Sequence, residues 1–333
     1  MNILVTGGSG YIGSHTTLLL LKEGHDVTVL DHFQKDKTEQ LDAIKDEVGE
    51  FEIISAELKN LKDIKSKLKR KKFDAVIHFA AYIEVGISTK EPVKFIQNNV
   101  VGSQNLFSVL LENGTKNIVF SSSAAVYGTP DSVPIKEDAP IKTENPYAYT
   151  KYIIEEILRC YSEFYGVNAL ALRYFNPSGS YNGVLGERHQ PETHLIPRLL
   201  HSLIAGDFEM QIFGTDYDTP DGTTVRDYIH VLDLAEAHVK SIEYLEQNNG
   251  FDVFNVGTGK GASIREVIDT IEKVTGKKLK YSESGRREGD SARLVADTAK
   301  INKLMGWKSK YLLEDILESA WKWEQKRPIS DYN

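Results

Sequence analysis

The chain has 333 residues, 41% hydrophobic and 26% charged, with a formal net charge of −8. This is the composition of ordinary globular protein, long enough for one large or two moderate domains, and its acidic balance argues against nucleic acid or an anionic membrane as partner. The single cysteine, Cys160, excludes an internal disulfide and points to a reducing, cytoplasmic compartment.

Met1-Asn2 leads directly into the strand-like run Ile3–Thr6, with no basic and apolar leader before it, and no apolar run reaches the ~18 residues of a membrane helix. The run ends on Gly7-Gly8-Ser9-Gly10-Tyr11-Ile12-Gly13, and Leu-rich helical sequence follows to about Glu23, closed by Gly24. Asp26–Asp31 then reads as a second strand. This is a βαβ unit with glycines at its first turn. Gly7 or Gly8 permits the tight turn, Gly10 lets backbone approach a pyrophosphate, and Gly13 lets the helix pack on the strand. The helix N-terminus offers unpaired N–H groups and a partial positive charge to phosphates. Asp31, ending the second strand, would accept hydrogen bonds from a ribose and repel a 2′-phosphate, so NAD is favoured over NADP.

The α/β rhythm continues. Phe51–Ile54, Asp74–Phe79, Asn117–Phe120 and Asn168–Leu172 read as strands three to six, with helical patterns between them. Such alternation predicts an α/β fold with a doubly wound parallel sheet of Rossmann type. In the Lys-rich stretch from Glu57 to Lys72, Leu58, Leu61, Ile64 and Leu68 fall at helical spacing, which predicts an amphipathic helix with a solvated basic face. The nine His show no metal-ligand grouping; His189 and His194 stand five apart in a loop-like segment, and no metal is expected.

Candidate chemistry collects at the C-terminal ends of the fourth and fifth strands, where open α/β sheets bind ligands. The fourth runs into the small residues Ala80-Ala81 and the fifth into Ser121-Ser122-Ser123, where the Ser123 hydroxyl can meet a substrate alcohol. Asn145-Pro146 then opens a helix bearing Tyr147 and Lys151. Four residues apart, the two share one helix face. An ammonium beside a phenol favours the phenolate, which equips tyrosine to act as a base on an alcohol proton. Chance alone produces such a spacing in a chain with 16 Tyr; its place beside the crevice is what singles it out.

In this order, the glycine motif, the serine run and Tyr147-x-x-x-Lys151 resemble the extended short-chain dehydrogenase/reductase family. The likeness narrows downstream, at Arg173-Tyr174-Phe175-Asn176-Pro177, Gly186-Glu187-x-His189, His194-Leu195-Ile196-Pro197, Phe213-Gly214-Thr215-Asp216-Tyr217, Val225-Arg226-Asp227-Tyr228-Ile229-His230-Val231 and Arg286-Arg287-Glu288-Gly289-Asp290. Together these look like the nucleotide-sugar 4-epimerases of that family, nearly end to end. The resemblance implies an isomerase that interconverts UDP-galactose and UDP-glucose, as in galactose metabolism, holding NAD tightly without consuming it. It implies that Tyr147 takes the O4 proton as the C4 hydride moves to NAD. Ser123 then bonds the same oxygen, Lys151 lowers the tyrosine pKa and binds the nicotinamide ribose, and the 4-keto sugar turns before the hydride returns.

By the same resemblance the cofactor meets Gly7, Gly10, Tyr11, Ile12, Gly13, Asp31, Glu57, Leu58, Phe79, Ala80, Ala81, Asn98, Ser121, Tyr147, Lys151 and Tyr174. The nucleotide sugar meets Ser123, Tyr147, Asn176, His194, Leu195, Phe213, Arg226, Arg287 and Asp290, the two arginines gripping the diphosphate. The chain departs from the family at Ile83, where members often have lysine, and at Glu57, where they usually have aspartate. Leu294 matches the position whose bulk is associated with accepting or rejecting N-acetylated sugars. A homodimer is also implied.

Residues 1–175 are expected to form the NAD-binding domain, with 228–255 returning to it, and 176–333 a smaller α/β substrate domain. The tail from about Arg327 is expected to be disordered. A related epimerase of UDP-N-acetylhexosamines or UDP-uronic acids is the alternative reading. A 4,6-dehydratase is disfavoured because Ala124-Ala125, not Asp-Glu, follows Ser123. A non-catalytic NAD-sensing protein would be expected to lose Tyr147, Lys151 or Ser123, and all three are present.

Overall fold

The computed structural model describes residues 1–33, 38–190, 192–206, 210–287 and 289–327; Glu288 and the tail beyond Arg327, expected to be disordered, lie outside them. Its centre is a seven-stranded sheet whose neighbouring strands are all parallel. β1 (Asn2–Thr6), β2 (Asp26–Asp31), β3 (Glu52–Ser55), β4 (Ala75–His78), β5 (Asn117–Ser121) and β6 (Asn168–Tyr174) form it together with Phe251–Val256. The spatial order is Phe251–Val256, β6, β5, β4, β1, β2, β3. The doubly wound sheet expected from the alternation is therefore present, and the strand order reverses between β1 and β4.

Successive strand residues point to opposite faces, so a sheet covered on both sides needs apolar residues at nearly every position. Ile3 and Val5, Val27 and Val29, Ala75 and Ile77, Leu170 and Leu172 fill one face, with Phe254 and Val256. Leu4, Leu30, Val76, Ile118 and Phe120, and Ala169 and Ala171 fill the other. The helices Tyr11–Lys22 and Val231–Gln247 belong to the first layer, through Leu18 and Leu20 and through Leu234 and Ile242. A third core is built around Ile196, Leu199, Ile212, Val267, Ile268, Ile271 and Ile316.

The segment at 228–255 divides between these parts. Tyr228–His230 pairs with Asn176–Ser178 in a separate two-stranded sheet, whereas Phe251–Val256 lies on the edge of the large one. The Lys-rich helix is shorter than the sequence pattern suggests, spanning Leu61–Lys67. Leu58, Ile64 and Leu68 are buried as expected, but Leu61 is 37% exposed. It is the first helical residue after the Asn60 cap, which accepts from Asp63 N, so its side chain lies ahead of the packed turn.

One buried ion pair joins the sheet to the helix Pro146–Tyr165. Arg173 on β6 forks onto Glu155 through Nε–Oε1 (3.0 Å) and Nη2–Oε2 (2.6 Å), and Ser122 Oγ donates to Glu155 Oε1 at 2.5 Å. Both charges lie within the core. Breaking such a pair from one side leaves an uncompensated buried charge. Glu155→Gln is therefore expected to destabilise the chain by about 3–5 kcal/mol, read as a lower midpoint in urea unfolding.

Candidate active site

The glycine loop joins β1 to the helix Tyr11–Lys22 at the point where the strand order reverses. Gly7 has φ +71°, and a Cβ there would stand 2.8 Å from Ala80 N; a Cβ on Gly13 would stand 2.2 Å from Gly7 O. Only glycine admits this close approach. Gly10 is the helix N-cap and makes no side-chain cap bond, while Tyr11 and Ile12 occupy the first turn. The loop is thus a backbone cradle opening onto a helix N-terminus, the arrangement a pyrophosphate requires.

Asp31 closes the same crevice from β2. Its Oδ2 accepts from Ser9 N (3.1 Å) and Ser9 Oγ (2.6 Å), and its Oδ1 from His32 N (2.8 Å) and His32 Nδ1 (3.2 Å). Burial raises its pKa, but these bonds outweigh it and keep the carboxyl low. A carboxylate offers about four acceptor positions, so a ribose hydroxyl would share or displace one of these donors. Glu57, in contrast, turns to solvent and pairs with Lys59 at 2.8 Å, while Leu58 is buried in the core.

Beyond β4, Phe79 packs on His238 with ring centroids 4.6 Å apart, and Ala80 meets the glycine turn. The following loop is pinned by a residue that the sequence reading passes over. Asn99 Oδ1 accepts from Tyr82 N (2.8 Å), and its Nδ2 donates to Tyr82 O (3.0 Å) and Thr150 Oγ1 (3.1 Å). Its neighbour Asn98, the expected cofactor contact, remains half-buried and donates to Asn99 Oδ1. Both lie in the π-helical turn Ile96–Val101, a local irregularity frequent at functional sites.

Asn145 caps the helix Pro146–Tyr165 by accepting from Ala148 N, and Pro146 occupies its first turn. This start places Tyr147 and Lys151 on the buried face, 6% and 1% exposed. Lys151 Nζ donates to Ser121 O at 2.6 Å and lies 5.8 Å from the centre of the Tyr147 ring. Tyr174 OH and Ser121 Oγ are 2.8 Å apart. Ser123, two residues beyond β5, caps a short 3-10 turn, accepting from Ala125 N.

Burial holds the Tyr147 phenol well above its ordinary value of 10; Tyr174 adds to this and the hydrogen bond with Ser123 opposes it. Burial also lowers Lys151 from 10.5 to about 7, against the pull of Glu155. Lys151 is not among the groups that move the tyrosine in the protein alone. The desolvation that raises the phenol also weakens the lysine charge that would offset it.

Of the residues expected at the diphosphate, Arg226 lies in a sheet of three short strands. Val225–Arg226 pairs with Ala262–Ser263 and with Arg293–Leu294. Arg226 Nη1 donates to Ser291 O (2.9 Å) and Nη2 stands 3.4 Å from Asp290 Oδ1. Arg287 stacks over Phe213 at 4.4 Å. Asn176 N and Nδ2 both donate to Asp227 O. Asp227 is fully buried and accepts from Thr258, Gly259 and Ala296; it anchors the Arg226 strand, a role the sequence reading does not assign. Leu294 packs against the cluster of Ala124, Val126, Phe175 and Ala296.

The absence of a metal-ligand grouping among the histidines is corrected. Glu187, His189, Glu192 and His194 converge, with one donor atom from each within 4.8 Å of the others. The loop folds back on itself, so residues spread over eight positions meet around one point. Spacing alone did not reveal this turn. Leu195 begins the next helix, Leu195–Ala205.

A sequence profile described as the NAD dependent epimerase/dehydratase family matches residues 3–257. The chain is 43% identical over 330 residues to a UDP-glucose 4-epimerase of Lactobacillus helveticus, covering 98% of each. Its structure resembles that of a UDP-glucose-4-epimerase from Stenotrophomonas maltophila with bound NAD and formylated UDP-arabinopyranose (TM-score 0.93, 36% identity, 98% of each chain). A UDP-glucose 4-epimerase from Bifidobacterium longum in complex with NAD+ and UDP is similar to the same degree (TM-score 0.92, 37% identity, 99% of each chain).

Proposed function

The chain belongs to the NAD dependent epimerase/dehydratase family, and from that premise we infer that it interconverts UDP-galactose and UDP-glucose with NAD as its cofactor. The observation that carries this reading is the Tyr147–Ser123–Lys151 constellation, with Ser123 bonded to Tyr147 and Lys151 to Ser121 O, in a chain that matches UDP-glucose 4-epimerases over 98% of its length. NAD, when bound, supplies the acceptor and donor of the sugar C4 hydride. The glycine turn and the first turn of the helix Tyr11–Lys22 hold its pyrophosphate. Asp31 faces the adenosine ribose, and its charge disfavours a 2′-phosphate.

Tyr147 takes the proton of the sugar O4 and later returns it. Ser123 bonds the same oxygen and keeps it within reach of the phenol. Lys151, fastened to Ser121 O, supplies positive charge when protonated and so favours the phenolate. Arg226 and Arg287 hold the diphosphate, where a guanidinium can fork onto phosphate oxygens. A firm grip there and few fixed contacts on the hexose let the 4-keto sugar turn over. Residues 1–175, together with the edge strand Phe251–Val256, serve the cofactor, and most of 176–333 serves the nucleotide sugar.

A proton NMR time course with UDP-galactose and no added cofactor tests the assignment. UDP-glucose signals are expected to grow to a constant ratio; no conversion, even with NAD supplied, would overturn it. Gly13→Val is expected to give protein that purifies without NAD, because its side chain would occupy the space against Gly7 O. Absorbance and mass analysis of the heat-released nucleotide check this.

Among the described residues, no helix is long and apolar enough to cross a membrane. A single cysteine, Cys160, supports the reading of a reducing, cytoplasmic compartment. Exposed apolar residues support the reading of a homodimer. Tyr149 is exposed on a groove that it forms with Tyr152, Ile153, Ile157 and Tyr161, and Val93, Ile96 and Val101 are exposed as well. Two copies of the face that bears this groove would cover one another.

A further inference from the structure

The loop ahead of the helix Leu195–Ala205 carries a side-chain cluster of which only His194 has an expected part in the epimerase reaction, as a contact of the nucleotide sugar. His194 Nδ1 lies 2.6 Å from Glu187 Oε1 and 3.4 Å from Glu192 Oε1. His189 Nδ1 lies 3.1 Å from Glu187 Oε1 and 3.9 Å from Glu192 Oε2. Ligands about 2.0–2.1 Å from a tetrahedral zinc stand roughly 3.3–3.4 Å apart, so these separations bracket the required spacing.

The cluster is built into the fold. Trp323 Nε1 and Arg327 Nη1 donate to Glu187 O at 2.9 and 3.4 Å, and a Cβ on Gly186 would stand 2.4 Å from the Trp323 ring. The Glu187 backbone therefore has little freedom. Glu192 Oε1 accepts from Thr193 N (2.8 Å) and His194 N (2.9 Å), which fixes that carboxylate. Its other oxygen, Oε2, is buried with no hydrogen-bond partner, and the Glu192 side chain is 7% exposed. A buried carboxylate oxygen without a donor is costly, and a cation among the four groups removes that cost.

We propose that Glu187, His189, Glu192 and His194 bind one divalent cation of the zinc class, which fastens this loop in front of the helix Leu195–Ala205. Two imidazoles and two carboxylates suit zinc and similar borderline metals better than calcium or magnesium, which prefer oxygen ligands. The two carboxylates balance the charge of the ion. Four protein ligands complete a tetrahedron and leave no open position, so the site is structural and not catalytic.

The test uses the full chain with its NAD, dialysed against a chelator and then titrated with zinc sulfate alone. One zinc per chain is expected, and X-ray absorption of the unaltered protein should show two imidazoles and two oxygens around it. His189→Ala combined with Glu192→Gln should weaken zinc binding by more than the ~100-fold typical of losing a group hydrogen-bonded to a ligand. Substoichiometric zinc, a coordination shell lacking imidazole, or equal affinity in the double variant would each overturn the site. The absorption measurement on the unaltered chain decides the matter even if the variant folds poorly.

Discussion

Replacing Tyr147 by Phe should slow the UDP-galactose to UDP-glucose conversion by ~10²–10⁴-fold, the usual contribution of a positioned acid–base group. The side chain is 6% exposed and its ring is packed in the core, so phenylalanine refills the space and only the hydroxyl is lost. NAD retention and affinity for UDP should change little, since neither the glycine cradle nor Arg226 and Arg287 is touched. NMR turnover measured beside calorimetric binding of UDP separates the two effects. Unchanged turnover would remove Tyr147 from the chemistry altogether, and equal losses of turnover and UDP binding would mean the site had collapsed. The direction also follows from the electrostatics. Burial keeps the phenol protonated in the protein alone, so this hydroxyl is present as a proton donor at neutral pH and becomes a base only when positive charge gathers beside it.

The sheet was legible in the sequence because its signals are local. β2 is the buried run Val27–Leu30 with an aspartate at each end, Asp26 and Asp31, and the glycine turn that follows β1 requires residues only glycine can supply. What depends on distant chain was less legible. Asn99 gains its role only when the loop after β4 folds over the helix that carries Thr150. Asp227 becomes an anchor only when the segments around Thr258 and Ala296 close on it. The meeting of Glu187 with His194 depends on a loop turn with no periodic signature. The Lys-rich stretch shows the opposite error, a regular spacing from Leu58 to Leu68 that extends past both ends of the helix Leu61–Lys67. The charge state of Lys151 escaped for a related reason. Spacing places an amine beside a phenol, but burial decides whether that amine is charged.

Lys151→Met should have two opposed effects, a large loss of turnover and a gain in stability of the coenzyme-stripped protein near neutral pH. Burial lowers the lysine from 10.5 to about 7, which corresponds to a cost of about 5 kcal/mol when the charged form must be accommodated. Methionine keeps the apolar stem and removes that cost. It also leaves Ser121 O without its 2.6 Å donor, a loss of about 1–3 kcal/mol. The first effect is the larger, so the variant should unfold at higher denaturant than the parent at pH about 6. The pH dependence fixes the sign. Between about 7 and 10.5 the unfolded chain holds the lysine proton and the folded chain does not, so the stability of the parent rises with pH across that window. The advantage of the variant should shrink over the same interval and reverse near its upper end, where only the orphaned carbonyl remains. Urea unfolding at a series of pH values reads this directly. A stability difference that stayed constant with pH would mean that Lys151 keeps its charge when folded, and would return to it the full electrostatic pull on Tyr147 expected from their spacing.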